Sequence, residues 1–224
     1  WTAVFPLFAA VTPLALVLLL AAPIRETHEQ TYASAATTLG LLFDRRIAIW
    51  VFAIFLYVGA EVGVTSWIAS HMHRTFGLSL GDATHCIGLF LGGLAIRRLT
   101  GSALLAIVSP RRFLVVTTVT GLIATACLLA PSAMIAKTAL VVAGFAFASV
   151  WPLVFAIAVE KRPARAAEIS GLLCTAILGG ALVPFVMGLV ADAWSPRAAF
   201  AVPVACFVFA ILGLALGASN RKDG

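Results

Sequence analysis

Charge is what this sequence lacks most. Asp, Glu, Lys and Arg make up 11% of the 224 residues while 62% are hydrophobic, and the mean hydropathy is +1.08. Too few polar side chains exist to cover a water-soluble globule, so that class is excluded. Acidic residues are scarcer than basic ones, 9 against 15. The basic surplus does not point to nucleic acid, because it sits in short loops between apolar runs and makes no continuous patch. Cys86, Cys127, Cys174 and Cys206 fall on four separate runs without CxxC or zinc-ligand spacing, so they are read as small apolar packing groups and neither a disulfide nor a metal is expected. HExxH, GxSxG and paired aspartates within the apolar runs are missing. Their absence counts against an intramembrane enzyme, and no cofactor is expected. The chain also lacks an initial Met, and Trp1 stands directly before an apolar run without the order of regions that a secretory signal needs. The expectation is a cut through a longer protein.

What is present is a series of long apolar runs. A helix crosses a hydrocarbon core of about 30 Å in roughly 20 residues. Runs of that kind are expected at about 2–22, with Pro6 and Pro13 inside, then at 47–70, 85–108 and 111–130, and near 198–217. The stretch from Ala139 to Asp192 adds two more, joined by the charged turn Glu160 to Glu168. The fold class is therefore all-α integral membrane, a bundle of about seven helices. Residues 23–46 form a polar connector, residues 71–84 an outer loop and residues 218–224 a basic tail. Arg25, Arg45, Arg46, Arg111, Arg112, Lys161, Arg162 and Arg165 lie on the side of that tail, against Arg74, Lys137 and Arg197 on the other. The positive-inside rule makes the first side cytoplasmic, with the C-terminus inside.

Three features stand out as candidates for function. Glu61 is a lone carboxylate in IFLYVGAEVGVTSW, and at 100° per residue Trp50, Tyr57, Glu61 and Thr65 share one helix face. Gly59 and Gly63 fall opposite, where they allow close packing of a neighbouring helix. An ionisable residue at this depth costs at least about 2.5 kcal/mol, so its default reading is functional; the alternative is a glutamate that fixes helix packing. Arg97 and Arg98 form an unusual pair roughly 15 Å from the inner end of their run, with Glu61 about 22 Å deep on the same count. The arginines are read as facing an inner cavity or gate, with snorkelling to the interface as the alternative. Trp151-Pro152 in one run, and Gly179-Gly180 with Pro184 in another, mark helices that bend or pack closely, since Pro152 leaves the Ala148 carbonyl without its helical donor. His71, His73 and His85 lack accompanying carboxylate or cysteine ligands and give only a weak metal signal.

Three stretches carry a resemblance: FLYVGAEVG at 55–63, IRRLTGSALL at 96–105, and SVWPLVFAIAVEKRPARAAEISGLLCTAILGGALVPFVMGLVAD at 149–192, preceded by Asp44-Arg45-Arg46. Together they are similar to the fucose:proton symporter branch of the major facilitator superfamily, sugar transporters of bacterial inner membranes. The resemblance implies the sixth helix at 1–22, the cytoplasmic central loop at 23–46, the six-helix C-terminal half at 47–217 and a cytoplasmic tail at 218–224. Carried over by position, Glu61 matches the glutamate of the seventh helix and Arg98 the arginine of the eighth-helix motif, whereas Arg97 replaces its usual glycine. The function implied is proton-coupled transport of a sugar or similar small polar solute, with Tyr57, Thr65, Trp67 and Trp151 beside Glu61 as substrate or proton candidates. The partners implied are the sugar, protons, the bilayer and the missing N-terminal half or a second membrane chain. Two other readings remain open from sequence: a non-transporting fragment or packing partner, and an intramembrane enzyme.

Overall fold

The computed structural model describes residues 4–21 and 34–219, and among them every regular element is helical. The chain divides into two units, residues 1–33 and 34–224. In the first, α1 (Val4–Ala21) runs through Pro13. Pro6 falls in its first turn, where a missing N–H removes no helical bond. Most of the expected connector, residues 22–33, lies outside the described residues, as do residues 220–224 of the tail.

The second unit opens with α2 (Ala35–Gly40), capped by Ser34, whose hydroxyl accepts from the Thr37 N–H at 3.2 Å. A 3-10 turn at Leu41–Phe43 leads to Asp44, which caps α3 (Arg45–Phe76) by accepting from the Arg46 N–H at 2.9 Å. Thirty-two residues make α3 about 48 Å long at 1.5 Å per residue, more than a hydrocarbon core requires. The expected outer loop at 71–84 is therefore corrected to three residues, 77–79. Loss of hydrophobicity after Ser70 marks where the helix leaves the apolar layer, and the helix itself stops at Gly77, whose φ of 70° forms a left-handed C-terminal cap.

After this turn come α4 (Leu80–Ile107), α5 (Pro110–Cys127), α6 (Ala133–Phe147), α7 (Val150–Glu160), α8 (Ala166–Thr175), α9 (Gly179–Ala193) and α10 (Ala201–Ser219). Helices α6 and α7 together make one apolar run at Ala133–Glu160, and α8 with α9 another at Pro163–Ala193. These two and α3 are the three described helical runs that are both long and apolar enough to cross a membrane. Charge dilutes the neighbours, since α4 carries Asp82, Arg97 and Arg98 and α5 opens on Arg111 and Arg112.

Helix α3 is the hub of the second unit, packing on α4, α6, α7, α8, α9 and α10. Phe90, Phe147 and Phe207 are fully buried beside it. Large apolar side chains on outward faces, including Val115, Ile123 and Phe185, remain exposed, as a surface in contact with lipid requires. Two glycine contacts bring backbones together. Where α3 crosses α9, the Cα of Gly179 backs onto the Phe55 carbonyl, and Gly59 lies against Val183. Where α4 crosses α6, Gly144 backs onto the Phe90 carbonyl and Gly93 onto that of Val141. A side chain at any of these positions would force the helices apart.

Candidate functional site

The i, i+4 spacing on α3 sets up the first part of the site. Tyr57 is buried and its Oη lies 2.7 Å from Oε2 of half-buried Glu61. One turn further on, the Thr65 hydroxyl donates to the Glu61 backbone carbonyl at 2.8 Å. This is local geometry, dictated by helical periodicity alone.

The second part comes from a distant stretch of chain. Tyr57 Oη also lies 2.5 Å from the carbonyl of Phe147, the last residue of α6. The helical ladder is interrupted here, at Ala148-Ser149, and Pro152 has no N–H to donate back to Ala148. The ladder resumes when the Leu153 N–H donates to the Ser149 carbonyl at 3.2 Å. A break in an apolar helix leaves carbonyls without helical donors, and the Tyr57 hydroxyl serves one of them. Rings of Phe147 and Phe207 meet Tyr57 edge-on, with centroids 6.1 and 6.2 Å away.

The remaining candidates are distributed around this centre. Trp151, on the far side of the same break, is half-buried and stacks on Phe155 at 5.0 Å, and its Nε1 has no hydrogen-bond partner among the described residues. Trp67 turns instead to α9, where Nε1 donates to the Pro184 carbonyl at 3.3 Å. Gly63 faces Met187 on the same helix, and Gly180 is half-buried against Val62 and Val58. Trp67, Gly59, Gly63, Gly179, Gly180 and Pro184 thus belong to one helix crossing, whereas Tyr57, Trp151 and Pro152 surround or flank the α6–α7 break, with Glu61 and Thr65 one and two turns further along α3.

The two arginines part company. Arg97 is fully buried between α4, α5 and α6, its guanidinium 4.2 Å from the Phe113 ring centroid and 5.6 Å from that of Phe145. None of its three side-chain nitrogens has a hydrogen-bond partner among the described residues. Aromatic rings, rather than solvent, meet its charge. Arg98 is exposed, and among the described residues it makes no ion pair with Glu61. The histidines diverge as well. His71 is buried with Nε2 2.9 Å from the Leu128 carbonyl, while Nδ1 of His73 lies 2.7 Å from the Leu78 carbonyl. Among the described residues no three His, Cys, Asp or Glu side chains gather as a metal site.

Sequence reasoning missed the Phe147 carbonyl, and it missed a cluster at the start of α3. There Asp44 meets Arg162 at 2.7 Å, and the Lys161 ammonium lies 4.7 Å from the Trp50 ring centroid. Arg165 and Glu168 pair in the same turn, at 2.5 Å. The available signal for the carbonyl was Pro152, which announces freed acceptors within one turn upstream.

A hub helix with one internal carboxylate, glycine-backed crossings and broken apolar helices define a multi-pass helical membrane protein. Residues 1–177 match the Major Facilitator Superfamily, and the chain belongs to that family, one of membrane transporters and not of enzymes. It is 31% identical over 167 residues to a protein named glucose/galactose transporter from Brucella abortus biovar 1 (strain 9-941), covering 74% of this chain and 40% of that protein. Over 200 residues it is 28% identical to a putative glucose/galactose transporter of Helicobacter pylori (strain J99 / ATCC 700824), covering 87% of this chain and 49% of the relative. Among solved structures, the fold is similar to a variant of the E. coli fucose:proton symporter FucP, with a TM-score of 0.81 at 21% identity over 95% of this chain and 54% of that one. It is similar also to FucP in the outward conformation, with a TM-score of 0.78 at 24% identity over 93% and 52%. The chain spans about half the length of the relatives it matches.

Proposed function

We propose that this chain is the C-terminal half of a secondary transporter that moves a sugar or similar small polar solute together with protons across a bacterial inner membrane. The observation that carries the reading is Glu61, a half-buried carboxyl group 2.7 Å from the Tyr57 hydroxyl in the apolar middle of the hub helix. A group this costly to bury is a natural place to hold a proton or a substrate hydroxyl. The names of the relatives support a hexose as substrate, and the fucose:proton neighbour supports protons as the coupling ion. In this reading residues 1–22 are the sixth span, 23–46 the central loop, 47–217 the six-helix half and 218–224 the tail.

Trp151 offers a half-exposed aromatic face to a sugar ring. Pro152, Gly179, Gly180 and Pro184 provide the bends and close contacts that let one half rock against the other around a central site. The excess of basic residues on one set of loops supports a cytoplasmic C-terminus. So do the contacts from Asp44 to Arg162 and from Lys161 to Trp50, since they bring the start of α3 and the α7–α8 turn to one end of the bundle, as that orientation requires.

Proton-driven sugar uptake into proteoliposomes tests the proposal, with this chain alone and with a co-expressed N-terminal half. Uptake is expected only when both halves are present, because the substrate path lies between them. Robust uptake by the chain alone overturns the half-transporter reading.

A further inference from the structure

The Tyr57 hydroxyl has one hydrogen and two close oxygen neighbours. The Phe147 carbonyl, at 2.5 Å, can only accept. Two oxygens that close with no hydrogen between them repel, so the Tyr57 hydrogen must point at Phe147. Glu61 Oε2, at 2.7 Å from the same Tyr57 oxygen, must then be the donor. A carboxylate has no hydrogen to donate, whereas a carboxylic acid has one. We infer that Glu61 is protonated in this conformation and that Tyr57 is a positioning residue, which transmits the presence of that proton to the break between α6 and α7. The inference rests on the proton-coupled reading above and assigns to it a loaded state and a moving part.

The step balances simply. Glu61 gives its proton to water on its half-exposed side, and the only covalent change is the loss of that O–H bond. The new carboxylate is a stronger acceptor than a neutral carbonyl, so it draws the Tyr57 hydrogen away from Phe147. Phe147 then has an unpaired carbonyl at a break already short of donors. The rings of Phe90 and Phe207 pack on the Phe147 ring at 5.5 and 4.9 Å, so the carbonyl sits in an apolar setting. A buried carbonyl that has lost its partner is costly, and the break must shift or admit water. Of the charged groups on the helices packed around α3, Arg98 of α4 is exposed and makes no ion pair with Glu61, and Arg97 is enclosed by the Phe113 and Phe145 rings. Among the described residues, α6, α7, α9 and α10 bring apolar side chains and the Cys206 thiol to the buried core, and no buried charged group.

The test uses this chain in lipid nanodiscs, without sugar. Infrared difference spectra across a pH titration should show a protonated-carboxyl band that Glu61→Gln abolishes. In parallel, amide hydrogen exchange of residues 145–153 is compared between the wild type and Glu61→Gln at each pH, which cancels the intrinsic pH dependence of exchange. The Gln amide donates to Tyr57 as the carboxylic acid does, so the two should match at low pH. Once the band disappears, the wild type should exchange roughly tenfold faster, the factor one hydrogen bond is worth. Tyr57→Phe should exchange fast at every pH and leave the carboxyl band in place, displaced to higher wavenumber. Absence of a Glu61-dependent band, or a ratio of wild type to Glu61→Gln exchange that does not change with pH, overturns the inference. If Tyr57→Phe does not fold, the other two arms still decide. None of these measurements involves transport, so their failure leaves the sugar-uptake reading standing, and a failed uptake assay leaves this inference standing.

Discussion

Residues 133–160 and residues 163–193 are both apolar runs interrupted near the middle, and the interruptions are resolved by opposite means. In the first, the break sits among aromatic rings and its free Phe147 carbonyl is met by a side-chain hydroxyl from α3. In the second, glycines rather than a polar side chain make the contact with α3. A 3-10 turn at Ala176–Leu178 leads into Gly179, which lets backbone meet backbone at Phe55, while Gly59 lies against Val183 and the Gly179 carbonyl. A proline break in lipid creates a need for donors, whereas paired glycines create contact area. The first device responds to a change in protonation, and the second responds only to volume.

That contrast can be sharpened by substitution. Gly179→Ala carries the largest expected penalty, about 3 kcal/mol from overpacking, because the added carbon meets the Phe55 backbone, which cannot turn aside as a flexible side chain would. Thermal unfolding in detergent reads this, with no dependence on pH. Tyr57→Phe comes next, at about 1–2 kcal/mol for an unpaired buried carbonyl. Unlike the glycine variant, it should lose more stability relative to wild type as pH rises, since the variant then also forfeits the charge-assisted bond from the Tyr57 hydroxyl to deprotonated Glu61. Trp67→Phe is the smallest, about 0.6 kcal/mol, as one long hydrogen bond between membrane helices is worth. If Tyr57→Phe shows no pH dependence of this kind, the two breaks are alike and the comparison fails.

Much of this was legible from residue order. The apolar runs, the breaks at Trp151-Pro152 and Gly179-Gly180, and the shared face of Tyr57, Glu61 and Thr65 all follow from periodicities of a few residues. What was not legible depends on contacts between distant segments. Nothing near Tyr57 in sequence points to a carbonyl 90 residues away. Arg97 illustrates the same limit: hydropathy locates it deep in a run, but only packing encloses its guanidinium between Phe113 and Phe145 while leaving its neighbour Arg98 exposed. The expected loop at 71–84 shows a different limit. Hydropathy follows the thickness of lipid, whereas the end of α3 is fixed by the left-handed cap at Gly77.

The central claim is that Glu61 couples a proton to solute movement, and the most direct measurement is sugar accumulation in proteoliposomes that contain the complete transporter under an imposed pH gradient. With wild-type protein, sugar should accumulate above its external concentration. Glu61→Gln should insert in equal amount and still exchange sugar down its gradient, but accumulate none above it. Accumulation by Glu61→Gln at the wild-type level would contradict the account.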